Sequence, residues 1–108
     1  MLNSLPVAEV AELCRKWQVV ELALFGSALR DDFRPDSDID LLVTFSPQAR
    51  WGLFAESQMA DEFQSLLGRP VDLVDRRAVE RSKNWIRREE ILSTARPVFT
   101  AQDAAHAA

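Results

Sequence analysis

The sequence predicts an α/β (α+β) fold, a small, mixed and largely antiparallel sheet packed by helices. Three observations carry this reading. Apolar residues recur at three- and four-residue spacing over about 6–17 and again over 51–67, the period of a helix with one buried face. Runs rich in Val, Leu, Ile and Phe at 19–25, 38–45 and 70–75 have the length and composition of strands. Only residues 26–37 separate the first two of these runs, and so short a link makes them neighbouring, antiparallel strands.

Each element has its own signals. Pro6 suits the first turn of the first helix, and Val7, Val10, Leu13, Cys14 and Trp17 form its apolar stripe. Glu9 and Glu12 face outward, while Arg15 and Lys16 close the helix in the order its dipole favours. Cys14 lies on the stripe and reads as a small buried hydrophobe. Gly26-Ser27 ends the first strand, and Ala28, Leu29 and Arg30 can begin a short helix. The following loop runs to Ser37, with Asp36 and Ser37 as capping residues before the second strand. Ser46-Pro47 breaks that strand. The second helix buries Trp51, Phe54, Ala55, Met59, Phe63, Leu66 and Leu67, and Gly68 stops it. In the third strand Asp72 and Val74 share one face, and Val71, Leu73 and Asp75 the other. A last helix is expected over about 77–94, with Trp85, Ile86, Ile91 and Leu92 as apolar members, then an edge strand at 97–100. The tail from about 101 to 108 has little to bury and is expected to fray.

Composition sets bounds. With 108 residues and 47% hydrophobic content, the chain suits a single packed domain spanning 1–108, without repeats or linkers. A net charge of −4 and a pI near 4.9 argue against a stable nucleic-acid binder. The single cysteine rules out an intramolecular disulfide or a thiolate metal cluster and suits a reducing, cytoplasmic setting. No run approaches the roughly 18 apolar residues of a membrane helix, and the first residues lack the pattern of a signal peptide.

The chemistry concentrates in residues 19–43. Asp38 and Asp40 open the second strand two positions apart, so both carboxylates face one way, with Ile39, Leu41 and Val43 on the other side. Two adjacent carboxylates repel unless a divalent cation lies between them, and Mg²⁺ with phosphate oxygens suits such a pair. At Gly26-Ser27 a glycine lets the backbone approach a phosphate, turn amides can bind an anion, and the serine hydroxyl adds a donor. Taken alone, Gly-Ser is also a plain strand-ending turn.

Gly26-Ser27, followed after ten residues by Asp38-Ile39-Asp40, resembles the Gly-Ser…Asp-x-Asp signature of the nucleotidyltransferase superfamily that includes DNA polymerase beta. The wider string, from Phe25-Gly26-Ser27 through Arg30 and Arg34-Pro35-Asp36-Ser37 to Val43, is similar to the minimal nucleotidyltransferases, or MNT proteins. The resemblance spans about residues 5–100 and implies a palm-like core. It implies Asp38 and Asp40 as metal ligands and catalytic residues, with a third carboxylate from a late strand. Asp72 is the first choice for that third position, and it would also help deprotonate the acceptor hydroxyl. Asp75 is the reserve, on the opposite strand face. Two Mg²⁺ ions would flank the reacting phosphorus, with ATP as substrate. Gly26 and Ser27 would bind the triphosphate. Either Arg30 or Arg34 can touch it, and Arg30 matches a basic position recurring in the family's loop. Ala28 and Asp31 stand where the family often carries a basic residue and a glycine.

MNT proteins are typically antitoxins of HEPN-domain ribonuclease toxins. The resemblance therefore implies a protein adenylyltransferase that moves AMP to a tyrosine of such a toxin, with which it would form a hetero-oligomer. A chain this short leaves no room for the extra domains that hold a nucleic-acid acceptor. The alternative is an antitoxin that neutralises its toxin by binding alone. A third reading is a small α/β domain whose acidic pair holds a stray cation. His106, the one histidine, lies in the tail and is assigned no role. The cations Arg76, Arg77, Arg81, Lys83, Arg87 and Arg88 read as a solvated face, or as a docking surface for an acidic partner or for RNA held by that partner. Trp51 and Trp85 read first as core, then as interface anchors.

Overall fold

The computed structural model describes residues 5–26 and 38–101. The elements run α1 (Val7–Lys16), β1 (Val19–Phe25), β2 (Ile39–Phe45), α2 (Leu53–Leu67), β3 (Val71–Asp75), α3 (Arg76–Glu80), α4 (Trp85–Thr94) and β4 (Arg96–Thr100). One four-stranded sheet has the order β3-β2-β1-β4. β1 pairs antiparallel with both β2 and β4, and β2 pairs parallel with β3. The expected mixed, largely antiparallel sheet is thus present, with β1 and β2 adjacent and antiparallel.

Alternation along β1 and β2 divides the interior in two. Leu22 and Leu24 join Ile39, Leu41, Val43 and Phe45 on one face, packed by Val10 and Cys14 of α1 and by Met59 and Phe63 of α2. Ala23, Phe25 and Leu42 point to the other face and meet Val79 of α3 and Ile91 of α4. Both strands therefore read as almost continuous apolar runs, because helices cover both sides. Phe63 is fully buried, and truncating such a ring costs about 3–5 kcal/mol.

The helix ends follow local chemistry. Pro6 is the N-cap of α1, one step ahead of the expected first turn. α1 turns into β1 through Gln18, a non-glycine residue at φ 58° whose carbonyl accepts from the Ser46 amide at 2.8 Å. Gly68 stops α2 in the left-handed region at φ 72°, donating to Gln64 O at 2.8 Å. Beside α1, Trp17 and Trp51 meet edge to face with ring centroids 5.3 Å apart. Trp51 Nε1 donates to Trp17 O, and Trp17 Nε1 donates to Glu62 Oε1, both at 2.8 Å. Trp51 packs against the larger cluster, as expected.

Four expectations need correction. Val7, expected on the apolar stripe of α1, is 64% exposed at the first position of the helix, and the residues α1 buries are Val10 and Cys14. The single helix over 77–94 is two helices broken at 81–84. Side chains there capture the backbone amides that a continuous helix would use: Ser82 Oγ accepts from Asn84 N, and Asn84 Oδ1 accepts from Arg87 N, each at 3.2 Å. Trp85 is 62% exposed and Ile86 63% exposed, so neither is core. α4 turns Ile91 to the sheet, and residues six and five positions earlier lie about 120° and 140° round the helix from it. Phe54 is 91% exposed, because it sits about 100° off the buried face made by Ala55, Met59 and Phe63.

Candidate active site

The acidic pair and the glycine meet where β1 ends and β2 begins. In the antiparallel ladder Phe25 stands opposite Asp40, which brings the next residue, Gly26, alongside the Asp40 side chain. Gly26 has φ +69°, a conformation that L side chains rarely adopt. A β-carbon there would stand 2.5 Å from Asp40 Oδ2 and 3.4 Å from Cγ. Glycine is therefore favoured by its backbone angle, and any side chain there would have to displace the Asp40 carboxylate. The sequence points to Gly26 as a strand-ending turn and as a phosphate contact. Its contact with Asp40 had no signal in the sequence, since it depends on the pairing register.

The parallel pairing of β2 with β3 decides how the later aspartates stand. Asp40 is registered with Asp72, and Val43 with Asp75. The register is anchored by Ile39 N donating to Pro70 O at 2.9 Å. Residues at matched positions of adjacent strands lie about 4.8 Å apart, so Asp40 and Asp72 are lateral neighbours at one end of the sheet. Their strand partners two positions on, Leu42 and Val74, pack into the same smaller cluster with α3 and α4. Asp75 has different work. Its Oδ1 accepts from Arg77 N at 2.9 Å and caps α3. Asp38, just before β2, is exposed, Asp72 is exposed, and Asp40 is half-buried between them.

These donors are all carboxylate oxygens, the set preferred by a hard cation such as Mg²⁺ over softer metals. The space kept open at Gly26 lies directly against one of them. Among the described residues, no three such groups already converge on a common point that could hold an ion. A cleft of about 380 Å³ flanks β3 on the α2 side, bordered by Asp72, Asp75, Glu56 and Ser57 over a floor including Val43 and Phe45. Ser27, Arg30 and Arg34, expected at the triphosphate, lie outside the described residues, as do the capping pair Asp36-Ser37 and His106.

Elsewhere the charged groups do structural work. Lys16 Nζ and Trp17 Nε1 both donate to Glu62, and these two bonds hold its carboxyl below the ordinary range. Burial pushes the Cys14 thiol up to about 12, with Arg15 opposing weakly, so it is an inert core group, as expected. Arg76 pairs with Glu21 at 3.9 Å and Glu80 at 3.3 Å, Arg77 reaches Ser46 O at 3.4 Å, and Arg88 reaches Ser82 O at 2.7 Å.

An antiparallel β1–β2 pair with a glycine at its turn, aspartates opening β2, and a parallel third strand bringing in another aspartate is a nucleotidyltransferase arrangement. The chain belongs to the nucleotidyltransferase domain family, whose profile matches residues 10–98. It is 36% identical over 73 residues to the protein adenylyltransferase MntA of Thermococcus cleftensis, covering 68% of this chain and 72% of that protein. Among solved structures, a toxin–antitoxin complex with AMP-PNP contains a chain that is 25% identical. That match has a TM-score of 0.67 and covers 92% of this chain and 77% of the other. A complex of tri-AMPylated HEPN toxin from Shewanella oneidensis with MNT antitoxin matches at 23% identity and a TM-score of 0.60. It covers 97% of this chain and 78% of that one, and at this identity shows the fold alone. No helix among the described residues is long and apolar enough to cross a membrane.

Proposed function

We propose that this protein transfers AMP from ATP to a hydroxyl of a partner protein, a tyrosine of a HEPN-domain ribonuclease toxin, and thereby acts as its antitoxin. The observation that carries the reading is the in-register pair Asp40 and Asp72 beside Gly26. The relative named as a protein adenylyltransferase, and the structural neighbour holding an ATP analogue, support the choice of substrate. Residues 1–108 would work as one minimal nucleotidyltransferase domain in the cytoplasm, bound to the toxin and without stable nucleic-acid binding of their own.

In this reading Asp38, Asp40 and Asp72 would hold Mg²⁺, most simply as two ions, which would supply charge neutralisation at the reacting phosphate. The chain's own residues do the rest. Gly26 leaves the backbone bare so that phosphate oxygens can approach it. Ser27 donates to the triphosphate, and Arg30 offsets its charge. Asp72 accepts the proton of the acceptor hydroxyl as its oxygen attacks the α-phosphorus. The bond to the β-phosphate oxygen breaks, and pyrophosphate leaves.

The test is incubation with Mg²⁺, isotopically labelled ATP and the product of the neighbouring gene, the proposed toxin, followed by intact-mass measurement. A mass gain of one or more AMP units on the toxin is expected, with loss of its ribonuclease activity. Neutralisation without any mass gain would instead make the protein an occluding antitoxin.

A further inference from the structure

The α3–α4 segment breaks two rules that surface helices usually follow. Residues 76–94 hold six of the chain's 13 lysines and arginines against three glutamates, Glu80, Glu89 and Glu90, in a chain whose net charge is −4. Neither helix has an acidic residue in its first turn; α3 opens on two arginines, and Arg87 lies in the first turn of α4. Cations at helix N-termini oppose the macrodipole, so the dipole does not account for them. The second break is apolar. Trp85 and Ile86 are adjacent, both more than 60% exposed, and contribute to neither core cluster.

Three of the cations, Arg76, Arg77 and Arg88, are used within the molecule. Arg81, Lys83 and Arg87 are exposed and form no ion pair among the described residues. They stand on both sides of Trp85-Ile86 in the chain, at the N-terminal end of α4, while the exposed Glu89 and Glu90 lie one turn further along the same helix. Trp85-Ile86 with these cations has the composition of an interface centre, where buried Trp is a preferred anchor and Arg is enriched over other charged residues. α3 and α4 also pack on the sheet face shared by Leu42 and Val74, the strand neighbours of Asp40 and Asp72.

We propose that Trp85 and Ile86, with Arg81, Lys83 and Arg87, form the docking surface for the acceptor protein, which presents an apolar recess rimmed by carboxylates. Charge complementarity selects the acidic rim, and the exposed apolar pair needs a recess to bury it. A polyanionic nucleic acid fits less well, because the acidic net charge and the aspartates at the sheet end repel it. The proposal rests on the reading above only in naming the toxin as that acceptor.

The experiment is calorimetric titration of the full chain with the purified product of the neighbouring gene, the proposed toxin, for wild type, Trp85→Ala and the triple charge reversal Arg81→Glu/Lys83→Glu/Arg87→Glu. Binding of a nonhydrolysable ATP analogue is measured in parallel to show that each variant is folded. Trp85→Ala should weaken toxin binding by roughly 30-fold or more. The triple reversal should weaken toxin binding by roughly tenfold or more and flatten its salt dependence. Analogue binding should be unchanged in both. Wild-type toxin affinity in both variants would overturn the proposal. So would tryptophan quenching by single-stranded oligouridylate at physiological salt that is lost in Trp85→Ala, or sedimentation showing that this surface joins two copies of the chain. Toxin binding that depends on Trp85 without any AMP transfer would uphold the surface and sink only the catalytic reading.

Discussion

Gly26 lies so close to the Asp40 carboxylate that a β-carbon in its place would stand 2.5 Å from Oδ2. The atom that would have to move is the end of a side chain, and that side chain is the proposed metal ligand. Gly26→Ala should therefore damage the site more than the fold. The left-handed backbone costs a non-glycine residue about 1–2 kcal/mol, a modest drop in melting temperature. AMP transfer should fall by at least an order of magnitude, because the added methyl group displaces the Asp40 carboxylate. Thermal denaturation with a transfer assay checks both. A variant that loses stability but transfers AMP normally would separate Gly26 from the chemistry.

The register of β2 and β3 gives Asp72 and Asp75 opposite fates on mutation. Asp72 is exposed beside Asp40, so Asp72→Asn should abolish most transfer while leaving the melting temperature nearly unchanged. Asp75 caps α3, so Asp75→Ala should cost about 0.5–2 kcal/mol and leave transfer largely intact. Urea denaturation and a transfer assay on the same two proteins test the pair. If Asp75→Ala is the inactive variant, the catalytic assignment of Asp72 is wrong.

Glu62 predicts an acid-dependent contribution to stability. Its carboxyl is held below the ordinary range by hydrogen bonds from Lys16 and then Trp17. A depressed folded-state pKa stabilises the fold above the unfolded value near 4.5, and the contribution is lost as pH falls through the folded value. Wild type should thus be more stable than Glu62→Gln at pH 7. The difference should shrink below pH 4.5. Equal stability at pH 7 would mean that this partly exposed pair contributes nothing.

Cys14 predicts the opposite slope at high pH. Its thiol is pushed from 9.0 up to about 12 by burial, so between those values the unfolded chain ionises and the folded one does not. Stability should decline over that window, and Cys14→Ala should remove this component despite the small cavity it leaves. At pH 8 the thiol should react with a maleimide only after denaturation. Rapid labelling of the native protein would show that the α1–sheet contact opens readily.

Much of this protein was legible in its sequence because the signals are local. The apolar alternation of 19–25 and 39–45, the stop at Gly68 and the buried stripe through Met59 and Phe63 each depend on a few neighbouring residues. The Gly26-Ser27 and Asp38-x-Asp40 string is likewise read along the chain, and it led to the family. The parity of β3 was legible too, since alternation alone separates Asp72 from Asp75.

Tertiary structure decided what joins distant positions. That Asp72 stands beside Asp40 follows from the parallel register, which is set by which faces of β2 and β3 are buried beneath α2 and against α3 and α4. That a side chain at Gly26 would displace the Asp40 carboxylate follows from the antiparallel register of β1 with β2. The break at 81–84 and the exposure of Trp85 have the same origin. One sheet face had to receive both Val79 and Ile91, and the local capping by Ser82 and Asn84 let the chain turn between them. Apolar content and helical spacing put Trp85 in the core, but burial goes to side chains that the backbone path aims at the sheet, and that path is a property of the whole fold.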